Sequence, residues 1–152
     1  MHNFKELLVW QKSMELVKDV YLFTKKFPKD ELFGLTQQIR RAVISIPSNI
    51  AEGAGRTTDA DFSHFIDIAL GSAYEVETQL YISLDLEYIF HDDFKNIIEK
   101  IQSIEKMIYN LKKSYQKTKL TTNDQRPNTN DQQLNTNEQR LNTNDQRPNT
   151  NK

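Results

Sequence analysis

Between Asp59 and Tyr88, the residues Phe62, Ile66, Ala69, Ala73, Val76, Leu80 and Leu84 follow one another in steps of four and three without a miss. Such positions share one side of a chain only when the chain turns about once every 3.6 residues, so the stretch is predicted to be a helix. A second apolar line, Phe65, Ile68, Tyr74, Tyr81 and Tyr88, lies off that seam. A helix that is apolar over more than a core face usually buries two sides. This one is therefore expected to meet something beyond its own bundle.

Three further stretches have the same period. From about Phe4 to Phe27, Leu7, Trp10, Met14, Val17, Tyr21 and Thr24 form a stripe, which Pro28 closes by forcing the residue before it out of helical geometry. Asp30 is then placed to cap the next helix. From about Glu31 to Ala54, Leu35 or Thr36, Ile39, Val43, Ile46 and Ile50 stay in register across Pro47. A mid-helix proline removes one backbone hydrogen bond and crowds the carbonyl four residues back. Two readings fit, one kinked helix or two helices meeting at Pro47, and the unbroken stripe favours the kink. Gly53 and Gly55 are expected to end this helix. From about Asp92 to Lys119 the stripe is Phe94, Ile97 or Ile98, Ile101, Ile104, Ile108, Leu111 and Tyr115, with acids at its start and lysines at its end, as the helix dipole favours. Short connections between four such helices imply antiparallel neighbours. The expected fold is all-α: an antiparallel four-helix bundle over residues 1–121 with a kinked second helix.

From Thr122 the chain repeats every seven residues: TNDQRPN, TNDQQLN, TNEQRLN, TNDQRPN and a final TNK. A coiled coil needs two apolar positions per heptad, and each unit here has at most one. Asn, Thr, Asp and Pro are also poor helix formers. Residues 122–152 are expected to form a disordered tail, because they cannot bury enough surface to offset chain entropy.

Several function classes fall away. There is no cysteine, which excludes disulfide scaffolds, thiolate metal sites and cysteine nucleophiles. No apolar run is long enough to span a bilayer, and the N-terminus lacks the basic-then-apolar pattern of a signal peptide. A soluble, cytoplasmic protein is expected. A di-iron bundle needs two Glu-x-x-His motifs and two further glutamates; Asp61-x-x-His64 is one partial match, and Glu87 and His91 are four apart. Ser103-x-x-Lys106 and Ser114-x-x-Lys117 lack the companion motifs of penicillin-binding folds. Arg56 and His64 are spaced too widely for the Arg–His motif of HEPN-type helical RNases. Neither a catalytic constellation nor a cofactor is expected.

The net charge of −1 hides an uneven distribution. Residues 57–94 carry nine acids and no Lys or Arg, whereas residues 95–119 carry seven lysines against two glutamates. The lysines suit a phosphate backbone, but a solvated face paired with the acidic third helix accounts for them somewhat better. The richest local signal is Ser45-Ile-Pro-Ser-Asn-Ile-Ala-Glu-Gly-Ala-Gly-Arg56. At helical spacing Arg41, Ser45, Asn49, Glu52 and Arg56 form one polar line. A solvated face with paired charges is one account of it. Short Ser and Asn side chains are weak choices there, so a hydrogen-bonded junction or a phosphate contact is the other. Glu52 and Arg56 are expected to pair, partly shielded from water.

That string, with Asp61-Phe62 and Ile68-Ala-Leu-Gly-Ser-Ala-Tyr-Glu-Val-Glu-Thr-Gln-Leu80, closely resembles the four-helix-bundle proteins of the 23S rRNA intervening-sequence family. The opening Phe4-Lys-Glu-Leu-Leu-Val-Trp-Gln-Lys12 is similar to that family's start. The resemblance spans nearly the whole bundle and leaves out the repeats. It implies a bacterial protein and assembly into a homopentameric ring. Many relatives are encoded inside insertions in 23S rRNA genes. A related branch, the accessory variability determinants of diversity-generating retroelements, associates with a reverse transcriptase and nucleic acid through a basic barrel; this chain is less basic than that branch. Matched by position, Pro47, Ser48, Asn49, Glu52, Gly53, Arg56, Glu75 and Glu77 are the candidate assembly or junction residues. Candidate contacts to RNA or DNA are Arg40, Arg41, Lys106, Lys112, Lys113 and Lys117. The expected function is a non-enzymatic oligomeric accessory of nucleic acid or a ribonucleoprotein. The alternative is a self-assembling protein–protein scaffold.

Overall fold

A computed structural model describes residues 3–123, with side chains for residues 3–115. Four α-helices make up the architecture: α1 (Leu8–Phe23), α2 (Leu35–Ala54), α3 (Asp59–Asp85) and α4 (His91–Asn123). Short 3-10 turns at Phe4–Glu6, Thr24–Lys26 and Lys29–Phe33 flank α1 and lead into α2. One compact unit runs to Lys117. The reading of residues 122–152 as a disordered tail falls almost wholly outside the described residues.

Cross-helix pairs fix the direction of each neighbour. Gly53 lies against Phe62 and Phe65, while Ser45 meets Ser72, so α2 and α3 run antiparallel. Tyr81 stacks edge-on against Phe94, Gln102 bonds Glu77, and Lys112 bonds Asp67; α3 and α4 are antiparallel too. Lys26 reaches Asp93 and Lys100 reaches Asp19, which closes α4 back onto α1. The result is an up-down-up-down bundle.

The stripes of α2, α3 and α4 face the core as their spacing predicts. Thr36, Ile39, Val43, Ile46 and Ile50 are buried on α2, and six of the seven seam residues are buried on α3, Leu84 being half-buried. On α4 both Ile97 and Ile98 are buried, with Ile101, Ile104 and Ile108. The expected stripe on α1 is corrected. Met14 and Tyr21 are exposed, and the core face is Val9, Ser13, Leu16, Val20 and Phe23. Leu7, Trp10 and Val17 flank it, half-buried. Ser13 interrupts the true face in sequence but not in space, because its hydroxyl donates to the Val9 carbonyl at 2.7 Å.

Helix ends differ in detail from expectation. Asp30 does not cap α2; the Glu31 carboxylate accepts the Leu35 N–H at 2.9 Å instead. Thr58 caps α3, accepting the Asp61 N–H at 3.1 Å. At its other end α3 stops at Asp85, before Tyr88, through a left-handed Glu87 with φ 58°. The Tyr88 N–H reaches the Ser83 carbonyl at 2.8 Å and the Glu87 N–H reaches Leu84 at 2.9 Å, a Schellman closure with glutamate in glycine's usual place.

Pro47 sits inside one helix and is itself buried. Gly53 does not stop α2; it lies buried in the last turn, and Gly55 is the C-cap. A methyl group on Gly53 would come within 2.9 Å of Phe65 Cβ and 3.2 Å of Phe62 Cδ2. The glycine is there to let α3 approach. Gly53→Ala is thus expected to lower stability by about 1–3 kcal/mol, even though alanine is the better helix former. The measurement is the chemical-denaturation midpoint at unchanged slope. A midpoint that holds or rises would show that Phe62 and Phe65 yield freely.

Candidate functional site

The polar line of α2 divides into two environments. In its middle, Ser45 and Asn49 face α3. The Asn49 amide donates to the Ser45 carbonyl and hydroxyl, each at 2.8 Å. Ser72 on α3, itself buried, has its Oγ 2.9 Å from Ser45 Oγ and 2.9 Å from the Ile68 carbonyl. These short polar residues form a hydrogen-bonded helix junction. Pro47 has no N–H to give the Val43 carbonyl. Ser48 and Asn49 donate to the adjacent carbonyls, Ile44 and Ser45, at 2.8 Å each.

At the C-terminal end of the line, Glu52 and Arg56 form the expected ion pair, with the guanidinium 4.6 Å from the Phe65 ring centre. The expected shielding is absent. Their side chains are 53% and 45% exposed, so the pair resembles a surface salt bridge. Arg41 is exposed on the outer face.

The candidate nucleic-acid contacts do not form one patch. Arg40 is built into the α1–α2 packing: its Nε donates to the buried Thr24 hydroxyl at 2.9 Å, and its guanidinium lies 4.8 Å from the Tyr21 ring centre. Lys112 is tied to Asp67 at 2.5 Å near the opposite end of the bundle. Asp93 marks the Arg40 end of α4 through Lys26, so nineteen residues of helix, roughly 30 Å, separate that end from Lys112. Lys106 and Lys113 are exposed on α4, and the Lys117 side chain lies outside the described ones.

Glu75 and Glu77 lead to a feature that sequence reasoning missed. Glu75 accepts the Gln79 amide at 3.1 Å, within α3. Glu77 faces α4 and accepts the Gln102 amide at 2.9 Å. Around it lies an open cleft of about 490 Å³, lined by Tyr74, Glu77, Gln102, Glu105, Lys106, Tyr109 and Asn110. Burial, reinforced by the facing Glu77 carboxylate, pushes Glu105 up to about 7. Nothing local in the sequence marks Glu105. Its partner lies on another helix, and only the antiparallel α3–α4 register brings the two together.

The model of the family described as 23S rRNA-intervening sequence protein matches residues 5–110. Among solved structures, the chain is similar to a crystal structure of a protein with unknown function from the S23 ribosomal protein family of Bacteroides thetaiotaomicron. The two are 29% identical, with a TM-score of 0.65, and the match covers 70% of this chain and 96% of the other. No curated protein matches the chain.

These environments separate Arg40 from the Glu52–Arg56 pair. Arg40→Ala is expected to destabilise the bundle by about 1–2 kcal/mol, through lost packing and the loss of a charged donor to the buried Thr24 hydroxyl, which keeps its own bond to the Val20 carbonyl. Glu52→Ala should change stability by no more than about 0.5–1 kcal/mol, as for other exposed pairs. Thermal or urea unfolding of both variants is the check. Equal effects would show that one of these environments is misjudged.

Proposed function

The chain belongs to the 23S rRNA-intervening sequence protein family, and from that premise we propose a non-enzymatic, self-assembling accessory that works on nucleic acid or a ribonucleoprotein. The observation that carries the assembly part is the outer face of α3. Ile68, Tyr74, Tyr81 and Ile82 stand 39–51% exposed along it, and Tyr109 of α4 continues the surface at 58%. Soluble monomers seldom leave so many large apolar side chains of neighbouring helices in water. A second copy of the chain is the simplest cover, and a ring of five is the assembly that the family resemblance implies. The nucleic-acid part rests on the family and on the exposed lysines of α4, Lys106 and Lys113, which suit a phosphate backbone. Arg41 on α2 is a further exposed cation.

A second reading, assembly without nucleic acid, draws on a specific observation. Two of the candidate contacts, Arg40 and Lys112, are already engaged by the chain's own side chains and lie at opposite ends. Steep salt dependence separates the two readings, because released counterions weaken phosphate contacts far more than apolar ones.

Light scattering or native mass measurement at micromolar concentration is expected to give a closed oligomer of five subunits. Ile68→Asp combined with Tyr74→Asp should reduce it to monomers with helicity retained, since neither side chain belongs to the core. A wild-type monomer would remove the assembly reading. For nucleic acid, binding to single-stranded RNA should fall by about tenfold or more between low and physiological salt, and Lys106→Ala with Lys113→Ala should flatten that dependence. Absence of RNA binding at low salt leaves the scaffold.

A further inference from the structure

Glu105 lies on the α3–α4 seam with one carboxyl oxygen, Oε1, sealed from solvent and without a hydrogen-bond partner. The group that faces it across the seam is a second carboxyl, Glu77. The Gln102 amide is directed to Glu77 Oε1 at 2.9 Å. An ionised carboxyl can only accept hydrogen bonds, and a buried acceptor with no donor is strongly unfavourable. A single proton on the two facing carboxyls removes this deficit, because it turns one of them into a donor. We propose that Glu77 and Glu105 share one proton across the α3–α4 seam, and that this proton is a latch holding the two helices together at that level.

The surroundings favour a proton over other cations. From α3 the cleft is lined by Tyr74 and Glu77, and from α4 by Gln102, Glu105, Lys106, Tyr109 and Asn110. Lys106 supplies the only positive charge among these and stands exposed. The charged groups of α1 that approach α4 lie elsewhere: Lys12 and Glu15 line a separate groove with Glu99 and Lys100, and Asp19 is tied to Lys100. No residue of α1 or α2 lines the cleft. No third carboxylate or histidine joins the pair among the described residues, so a metal ion finds too few ligands.

Burial and the Glu77 charge set the operating range by pushing Glu105 up to about 7 from an ordinary 4.5. The sign follows from linkage. Below the ordinary value both the folded and unfolded chains hold the proton, and the stabilisation is complete. As pH rises from there to about 7 the unfolded chain releases the proton first, so stability falls. Above that range Glu105 is ionised, and the seam is held only by its other contacts. The latch is therefore closed on the acid side of neutrality and open on the alkaline side. It does not depend on the proposed assembly or on nucleic acid.

The test uses the full chain with carbon-13-labelled glutamate side chains. Glu105 is expected to titrate with a midpoint near 7. Glu77→Gln should move that midpoint down by about one unit or more, because the facing charge is gone. Glu105→Gln, which copies the protonated form, should raise the thermal midpoint at about pH 8 and flatten its fall between about pH 5 and pH 8. Hydrogen exchange reads the latch itself. After correction for intrinsic chemistry, backbone amides of α4 around Gln102–Lys106 should lose protection several-fold between about pH 6 and pH 8 in the wild type, and keep it in Glu105→Gln. A Glu105 midpoint in the ordinary carboxylate range, or one unmoved by Glu77→Gln, overturns the shared proton. Equal protection at both pH values in the wild type overturns the latch.

Discussion

Helices α2 and α3 touch where their side chains are smallest. Gly53 admits Phe62 and Phe65 at one level, and Ser45 meets Ser72 at another. Between these levels α3 presents Ala69, fully buried, with Ala73 just beyond Ser72. Small residues at facing positions let two helices approach until backbone and Cβ atoms are in contact, and dispersion accumulates over many such pairs. The approach dictates much else. It leaves no room for long side chains in the middle of α2's polar line, which accounts for Ser45 and Asn49, and it directs their hydrogen bonds inward. Pro47 is buried on the same helix, and Ser48 and Asn49 bond the carbonyls adjacent to the one it leaves without a donor.

What could be read from the sequence followed from how undiluted each pattern was. The α3 and α4 stripes are Ile, Leu, Val, Phe and Ala, with Tyr115 at the end of α4, at unbroken spacing, and both face the core as predicted. The α1 stripe was misplaced because that helix is apolar on two adjacent lines, and its true core line contains Ser13, a polar letter whose hydroxyl is satisfied within the helix. The end of α3 was placed too late because Glu87 fills a left-handed position normally announced by glycine. The candidate site divides similarly. Ser45 and Asn49 signalled a junction by being short and polar on a helix. The fate of Arg40 depends on Tyr21 and Thr24 on another helix, and that of Glu105 on Glu77, and no local spacing encodes either pairing.

The uneven charge resolves into the bundle's own register. The acidic third helix is met by a lysine of the fourth, Lys112 on Asp67. The fourth helix in turn meets the first through Lys100 on Asp19 and Lys26 on Asp93. Each pair is at least partly exposed and contributes little stability alone. Opposite charges at these positions still favour the observed register, so they help select the topology. Lysines used this way are less available to an outside phosphate. The fourth helix therefore offers nucleic acid a smaller positive surface than its composition suggests.

Along the α3–α4 seam this pattern has one exception. Aromatic pairs stand at its two ends, Tyr81 with Phe94 and Phe62 with Tyr115. Next to the second of them Asp67 finds Lys112. Between these, Glu77 finds a neutral amide and another acid. A lysine at position 105 would have completed the ladder with an ordinary ion pair. A second carboxyl leaves that level short of a positive charge, and in a bundle so consistent elsewhere a local departure is where a special role is expected. The proton is the smallest cation that restores the balance. Its loss near neutrality weakens the seam beside Tyr74 and Tyr109, which stand about half exposed, so the state of the pair bears on the same surface that a partner would cover.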